Sequence, residues 1–131
     1  MLELDHLIVP SRDPVRAAKS LAAVLNVPWK PNRGNFTAVY INQGFTFDFG
    51  HRDRFQPHHY CFRVTDEELD QILERVRSAG FKHRSKPAGP DDLSINTQMG
   101  GRGFYWTDSD GHVWELLTVS YARQRIEFPE S

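Results

Sequence analysis

Three side chains stand where packing alone does not account for them. His6 opens the apolar run His6-Leu-Ile-Val-Pro10, His59 opens His59-Tyr-Cys-Phe-Arg63, and Glu115 lies inside His112-Val-Trp-Glu-Leu-Leu-Thr-Val119. Each run reads as a strand. Successive strand side chains face opposite sides, so Glu115 shares a face with Val113 and Leu117, and Trp114 shares the other with Leu116. Neither face is a solvent face. A carboxylate there must be paired, bound to a cation or held neutral. Two neutral imidazoles and a carboxylate suit a divalent transition metal and leave coordination positions open for water or substrate. Taken singly, a strand histidine is more often a hydrogen-bonded structural residue, and a strand glutamate more often an edge residue.

What favours the metal reading is an internal repeat. His6 to Asp13 and His59 to Asp66 each carry a histidine in an apolar strand and an aspartate seven residues later, and each leads into an amphipathic helix. In the first copy Asp13 caps a helix with Pro14 at its first position, and Val15, Ala18, Ala22 and Leu25 follow at helical spacing. In the second, Thr65 and Glu68 form a capping box, Leu69, Ile72, Leu73, Val76 and Ala79 make the stripe, and Gly80 ends the helix. A hairpin closes each copy: 36–41 with 45–49 around Gly44, and 103–107 with 112–119 around Gly111. Four residues beyond each turn glycine stands a carboxylate, Asp48 in one copy and Glu115 in the other.

Each copy therefore reads β-α-β-β-β. The fold class is α+β, with two βαβββ repeats forming a cupped mixed sheet, helices outside and a cleft inside. The modules are expected at 1–57 and 58–131, joined near Gln56-Pro-His58. Leu93 to Gln98 is expected as a strand. A short strand before Phe36 is expected within Pro28 to Gly34.

His6, His59 and Glu115 are the expected metal ligands, with Asp48 as a weaker fourth. Glu115 is also the expected catalytic group. Arg63 shares a face with His59, Arg102 sits in a Gly-rich turn, and Tyr105 shares a face with Thr107. These three are candidate substrate contacts, each weighed against an ordinary surface or packing role. His58 faces away from His59. His51, His83 and His112 are expected to be solvated. The single cysteine, Cys61, rules out an intrachain disulfide and is expected as a small buried residue.

The net charge of −1 provides no bulk attraction for nucleic acid or anionic membrane. No apolar run reaches the length of a membrane span, and the acidic N-terminus is unlike a secretory signal. The expected setting is the cytoplasm.

The motifs Leu4-Asp-His-Leu-Ile-Val9, His59-Tyr-Cys-Phe-Arg-Val-Thr-Asp66 and Phe104-Tyr-Trp-Thr-Asp-Ser-Asp-Gly-His-Val-Trp-Glu115 resemble the vicinal oxygen chelate superfamily. That group includes glyoxalase I, extradiol dioxygenases, fosfomycin-resistance enzymes and bleomycin-binding proteins. The resemblance implies a metal site of His6, His59 and Glu115, shared across a homodimer, with Asp48 where glyoxalase-like members place another carboxylate. It implies Fe, Mn, Zn or Ni holding two oxygens of a small-molecule substrate. The implied activity is that of a metal-dependent lyase, isomerase, transferase or dioxygenase. Two alternatives accompany it: a metal-free binder of bleomycin-type drugs, and a fosfomycin-modifying enzyme. The stretch from Gly101 to Leu116 resembles the fosfomycin enzymes closely, but Arg123 and Arg125 fall out of register with their basic C-terminal residues.

Overall fold

A computed structural model describes residues 1–123 and 126–130, apart from the side chains of Asn32 and Arg33. Arg125 lies outside the described residues. The first module runs β1 (His6–Ser11), α1 (Pro14–Leu25), β2 (Trp29–Arg33), β3 (Phe36–Tyr40) and β4 (Thr46–His51). The second runs β5 (His59–Arg63), α2 (Asp66–Ser78), β6 (His83–Arg84), β7 (Gly103–Thr107) and β8 (Val113–Leu117). The α+β expectation of two βαβββ repeats holds. Each module forms a four-stranded mixed sheet, β1-β4-β3-β2 and β5-β8-β7-β6. In both, the first strand lies at the edge and runs parallel to the last. Among the described residues the two sheets share no strand pairing within the chain.

The helices start where the sequence says they should. The Asp13 carboxylate accepts from the Arg16 N–H, with Pro14 following it, and Thr65 and Glu68 complete their capping box. The buried stripe of α1 is Ala18, Leu21, Ala22 and Val24. Val15 is exposed instead. The helices touch each other and share one core with the inner faces of both sheets, including Val9, Phe47, Phe49, Phe104, Trp106, Trp114 and Leu116. Trp114 stacks on Tyr60 at 4.6 Å and meets the edge of Phe47 at 5.7 Å, so one indole joins the two modules. On the opposite faces the edge strands expose His6 and Ile8 on β1 and His59, Cys61 and Arg63 on β5, while Asp48, Tyr105, Glu115 and Leu117 on the inner strands are buried.

The turn Asp108-Ser-Asp-Gly is the clasp between the modules. The Asp108 carboxylate accepts from the N–H groups of Asp110 and His112 and from the Trp114 indole, each at 2.9 Å. Burial pushes its carboxyl upward despite these donors. Asp110 accepts from the Ser11 hydroxyl at 2.6 Å and from the Arg12 N–H at 3.1 Å, pinning the hairpin to the end of β1. His112 is fully buried, contrary to its expected solvation. Its Nδ1 accepts from the His58 N–H at 2.9 Å, so Nε2 carries the proton and donates to the Pro10 carbonyl at 2.7 Å. It is a structural tie between the modules, stacked on Phe55.

His83 is also buried, and neither ring nitrogen has a hydrogen-bond partner. It lies in β6, edge-to-face with Phe104 at 5.6 Å and beside the Leu93 backbone. Burial, and then the charge of Arg77, lowers its pKa from the ordinary 6.5. The unfolded chain therefore takes up a proton near pH 6.5 that the folded chain refuses, and stability falls as pH drops through that value. His83→Leu should abolish this acid sensitivity. Thermal melts at pH 7.5 and 5 should show the gap between variant and wild type widening at the lower pH; a constant gap would contradict the assignment.

Two further expectations change. Residues 93–98 form only an isolated bridge, Asn96 to Gly103, because Leu93 takes a left-handed φ of 55° and Asn96 donates its side-chain amide to the Ser85 carbonyl. Cys61 is exposed, because alternate residues of the edge strand β5 face the open side. None of the described helices is long and apolar enough to cross a membrane.

Candidate functional site

Strand alternation places the candidates on the open faces. On the first sheet His6 pairs with Thr46, and Ile8 with Asp48. On the second, His59 pairs with Val113, and Cys61 with Glu115. The position two residues beyond each histidine thus abuts the carboxylate of the last strand, in the same register in both modules. The repeat seen in the chain is a repeat in space.

The second module brings its two candidates together. The Glu115 side chain is 3% exposed, and its Oε1 lies 2.9 Å from Nε2 of His59, whose side chain is 46% exposed. The carboxylate is thus buried while its imidazole neighbour remains open to solvent. Donors that share one ion at about 2.0–2.2 Å and right angles lie about 3 Å apart. The observed separation fits that requirement, and an imidazole with a carboxylate is an apt donor pair for a first-row divalent metal.

The first module places its candidates elsewhere. The His6 ring is exposed and bonds through Nδ1 to the adjacent Asp5 at 2.8 Å. Asp48 is buried within β4. Among the described residues of one chain, no three His, Cys, Asp or Glu side chains converge on a point where a metal ion would sit.

Around Glu115 the chain builds a hydroxyl cluster. Tyr121 donates to the carboxylate, with its hydroxyl 3.0 Å from Oε1 and 2.9 Å from Oε2. Tyr105 pairs with Glu115 across β7 and β8, and its ring lies 5.9 Å from that of His59. Burial, and then the Glu115 charge, pushes the Tyr105 phenol upward. Burial, then the hydrogen bond to Glu115, does the same for Tyr121. Both phenols therefore keep their protons and act as donors. The Cys61 thiol is pushed up to about 12, first by desolvation and then by Glu115, so it is not a ready nucleophile.

Tyr121 is the residue that sequence reasoning missed. It lies beyond the last strand with no partner in the repeat, so periodicity has nothing to say about it. Its one signal is a polar-tipped aromatic six residues past a buried carboxylate.

Arg102 is brought near the cluster, but its guanidinium turns away. It donates to Asp66 Oδ1 at 2.9 Å, to Asp70 Oδ1 at 2.8 Å and to the Asp66 carbonyl at 3.0 Å. These contacts raise the Arg102 pKa, the Asp70 bond foremost, and the same bond lowers that of Asp70. Arg63 is exposed, on the same face of β5 as His59. The hollow over Glu115 is lined by Met99, Gly101, Tyr105, Leu117, Val119 and Tyr121. Its cavity volume in the single chain is about 30 Å³, room for an ion or a water rather than an organic molecule.

Comparison with known proteins places this arrangement. No family model matches the chain. The solved structure of oxidase ChaP-H2 superposes with a TM-score of 0.86 at 36% identity, covering 92% of this chain and 95% of that one. Oxidase ChaP-H1 gives 0.86 at 38% identity, covering 94% and 100%. Fosfomycin resistance protein FosX of Listeria monocytogenes is 36% identical over 58 residues, 44% of this chain. That match spans only 38% of the length of the curated relative. A crystal structure of a FosX mutant from that organism, complexed with Mn(II) and a dihydroxypropylphosphonic acid, shares the fold at a TM-score of 0.69 and 24% identity. The chain belongs to the vicinal oxygen chelate superfamily.

Proposed function

We propose that the protein is a metal-dependent enzyme that binds vicinal oxygens of a small molecule, and that its reaction is of the oxidase or dioxygenase type. The observation that carries this reading is the His59–Glu115 pair, a buried carboxylate 2.9 Å from a solvent-facing imidazole on an open sheet face. The oxidase name of the two relatives that match along nearly the whole chain favours oxidation over the other superfamily reactions. The FosX complex with Mn(II) is a precedent for a divalent metal in this fold.

His59 and Glu115 would supply two ligands from one subunit, and His6 a third from a second copy. Asp48 is a further candidate beside that histidine. A divalent ion held there would act as a Lewis acid that stabilises charge developing on the bound oxygens. The residues around it have definable tasks. Tyr105 and Tyr121 donate hydrogen bonds toward the cluster, Met99, Leu117 and Val119 exclude water, and Arg63 stands at the rim for an anionic group. The small volume of the hollow accords with a substrate cleft completed by the partner's first module.

The FosX match supports phosphonate chemistry as a second reading. Against it, Arg102, the cationic side chain lining the hollow among the described residues, is engaged by Asp66 and Asp70. A phosphonate would depend on Arg63 alone among the residues singled out.

Elemental analysis of freshly purified protein tests the main reading. About one equivalent of Fe, Mn, Ni or Zn per chain is expected, with dioxygen uptake in the presence of vicinal diol or hydroxy-ketone substrates. Absence of metal, even after reloading with each ion, would shift the reading to a metal-free binder of bleomycin-type ligands. Turnover of fosfomycin without dioxygen uptake would select the phosphonate reading.

A further inference from the structure

We infer that Tyr121 is a positioning residue for Glu115, carried on a C-terminal strap that α2 anchors through Arg102. The inference rests on Glu115 being a metal ligand.

After β8 the chain turns back over the open face, and residues 118–123 bring the Tyr121 phenol across both carboxylate oxygens. The last torsion of a glutamate is broad and roughly two-fold. A donor straddling both oxygens fixes that torsion, and it holds Oε1 toward His59. When the His59 nitrogen becomes a ligand, its hydrogen bond to Oε1 is given up. Tyr121, with Tyr105 behind it, then remains to orient the carboxylate.

The strap is itself held. The Thr118 N–H donates to the Arg102 carbonyl at 2.9 Å, and its hydroxyl accepts from the Arg102 N–H at 2.9 Å. Gly101 lies so close that a Cβ there would stand 2.5 Å from Thr118 Oγ1 and 2.8 Å from Val119 Cγ2. Only glycine lets the turn pack on the strap. The Arg102 guanidinium in turn grips Asp66 and Asp70 on α2. A continuous path therefore runs from α2 through Arg102, Thr118 and Tyr121 to Glu115. It assigns Arg102 the task of anchoring the strap.

The test is metal binding without turnover. Mn(II) affinity is read from the free-ion electron paramagnetic resonance signal, and Co(II) coordination from its visible spectrum, for wild type, Tyr121→Phe and Thr118→Val. Tyr121→Phe should weaken Mn(II) binding about 10–100-fold, the usual loss when a group hydrogen-bonded to a metal ligand is removed, and should alter the Co(II) bands. Thr118→Val keeps the phenol and the backbone bond to the Arg102 carbonyl but removes the hydroxyl that accepts from the Arg102 N–H, so its loss should run in the same direction and be smaller. Unchanged affinity and spectrum in Tyr121→Phe would overturn the inference. So would a lower melting temperature of the metal-free variant with affinity intact. Should Tyr121→Phe fail to fold, the same criteria apply to Thr118→Val. Wild-type protein that takes up neither ion overturns the metal reading and this inference together; wild-type binding with an indifferent Tyr121→Phe overturns this inference alone.

Discussion

If Glu115 is a metal ligand as proposed, Glu115→Gln should fold with a near-native melting temperature and yet neither hold a divalent metal nor turn over substrate. The amide keeps one oxygen to accept from Tyr121, so the buried cluster remains hydrogen-bonded. What goes is the negative charge that would bind a divalent ion. The expected drop in affinity exceeds the about 10–100-fold typical of losing a supporting hydrogen bond. Glu115→Ala should lose metal equally but also stability, by about 1–3 kcal/mol, since it empties a buried position and removes the hydrogen bonds that the carboxylate accepts from the partly exposed Tyr121 phenol. The comparison separates ligation from folding. A Gln variant that retains a full equivalent of metal would remove Glu115 from the ligand set.

Mixing two inactive variants should restore activity. The His6 ring is exposed and does not converge with His59 and Glu115 in one chain. The edge strand β1 also exposes Leu7 and Ile8, preceded by exposed Leu4, as an apolar margin for a partner to cover. If a second copy completes the site, His6→Ala and Glu115→Ala should each be inactive alone. A heterodimer would hold one intact site and one doubly broken one. Random pairing makes half the dimers mixed, so about a quarter of all sites should recover. The readout is turnover or Mn(II) binding after co-expression and isolation of the heterodimer on two tags. Isolated heterodimers without activity would show that His6 is not supplied in trans, and a monomer at working concentration would exclude the shared site.

Both experiments address groups that were legible in the sequence, whereas the surroundings of those groups were not. Helix starts are local events: Asp13 with Pro14, and Thr65 with Glu68, need only their own neighbours to cap a helix, and they do so as read. Strand alternation is local too, which is why Glu115, His59 and Cys61 fall on one face. Cys61 was expected to be buried from its residue type, and what that lacked was one fact, that β5 is an edge strand whose alternate residues His59, Cys61 and Arg63 are exposed.

By itself the sequence determined the two βαβββ modules, their caps and turns, and the equivalence of His6 with His59 and of Asp48 with Glu115. These depend on spacing, and spacing survives folding. Tertiary structure alone decided how distant groups use their hydrogen-bonding capacity. It buried His112 as a tie between Pro10 and His58, stranded His83 without a partner, committed Arg102 to α2, and laid Tyr121 over Glu115. It also left His6 apart from His59 within the chain, because each sheet closes on its own last strand. Such pairings join residues far apart in sequence, and their geometry exists only once the packed core has fixed where each strand ends.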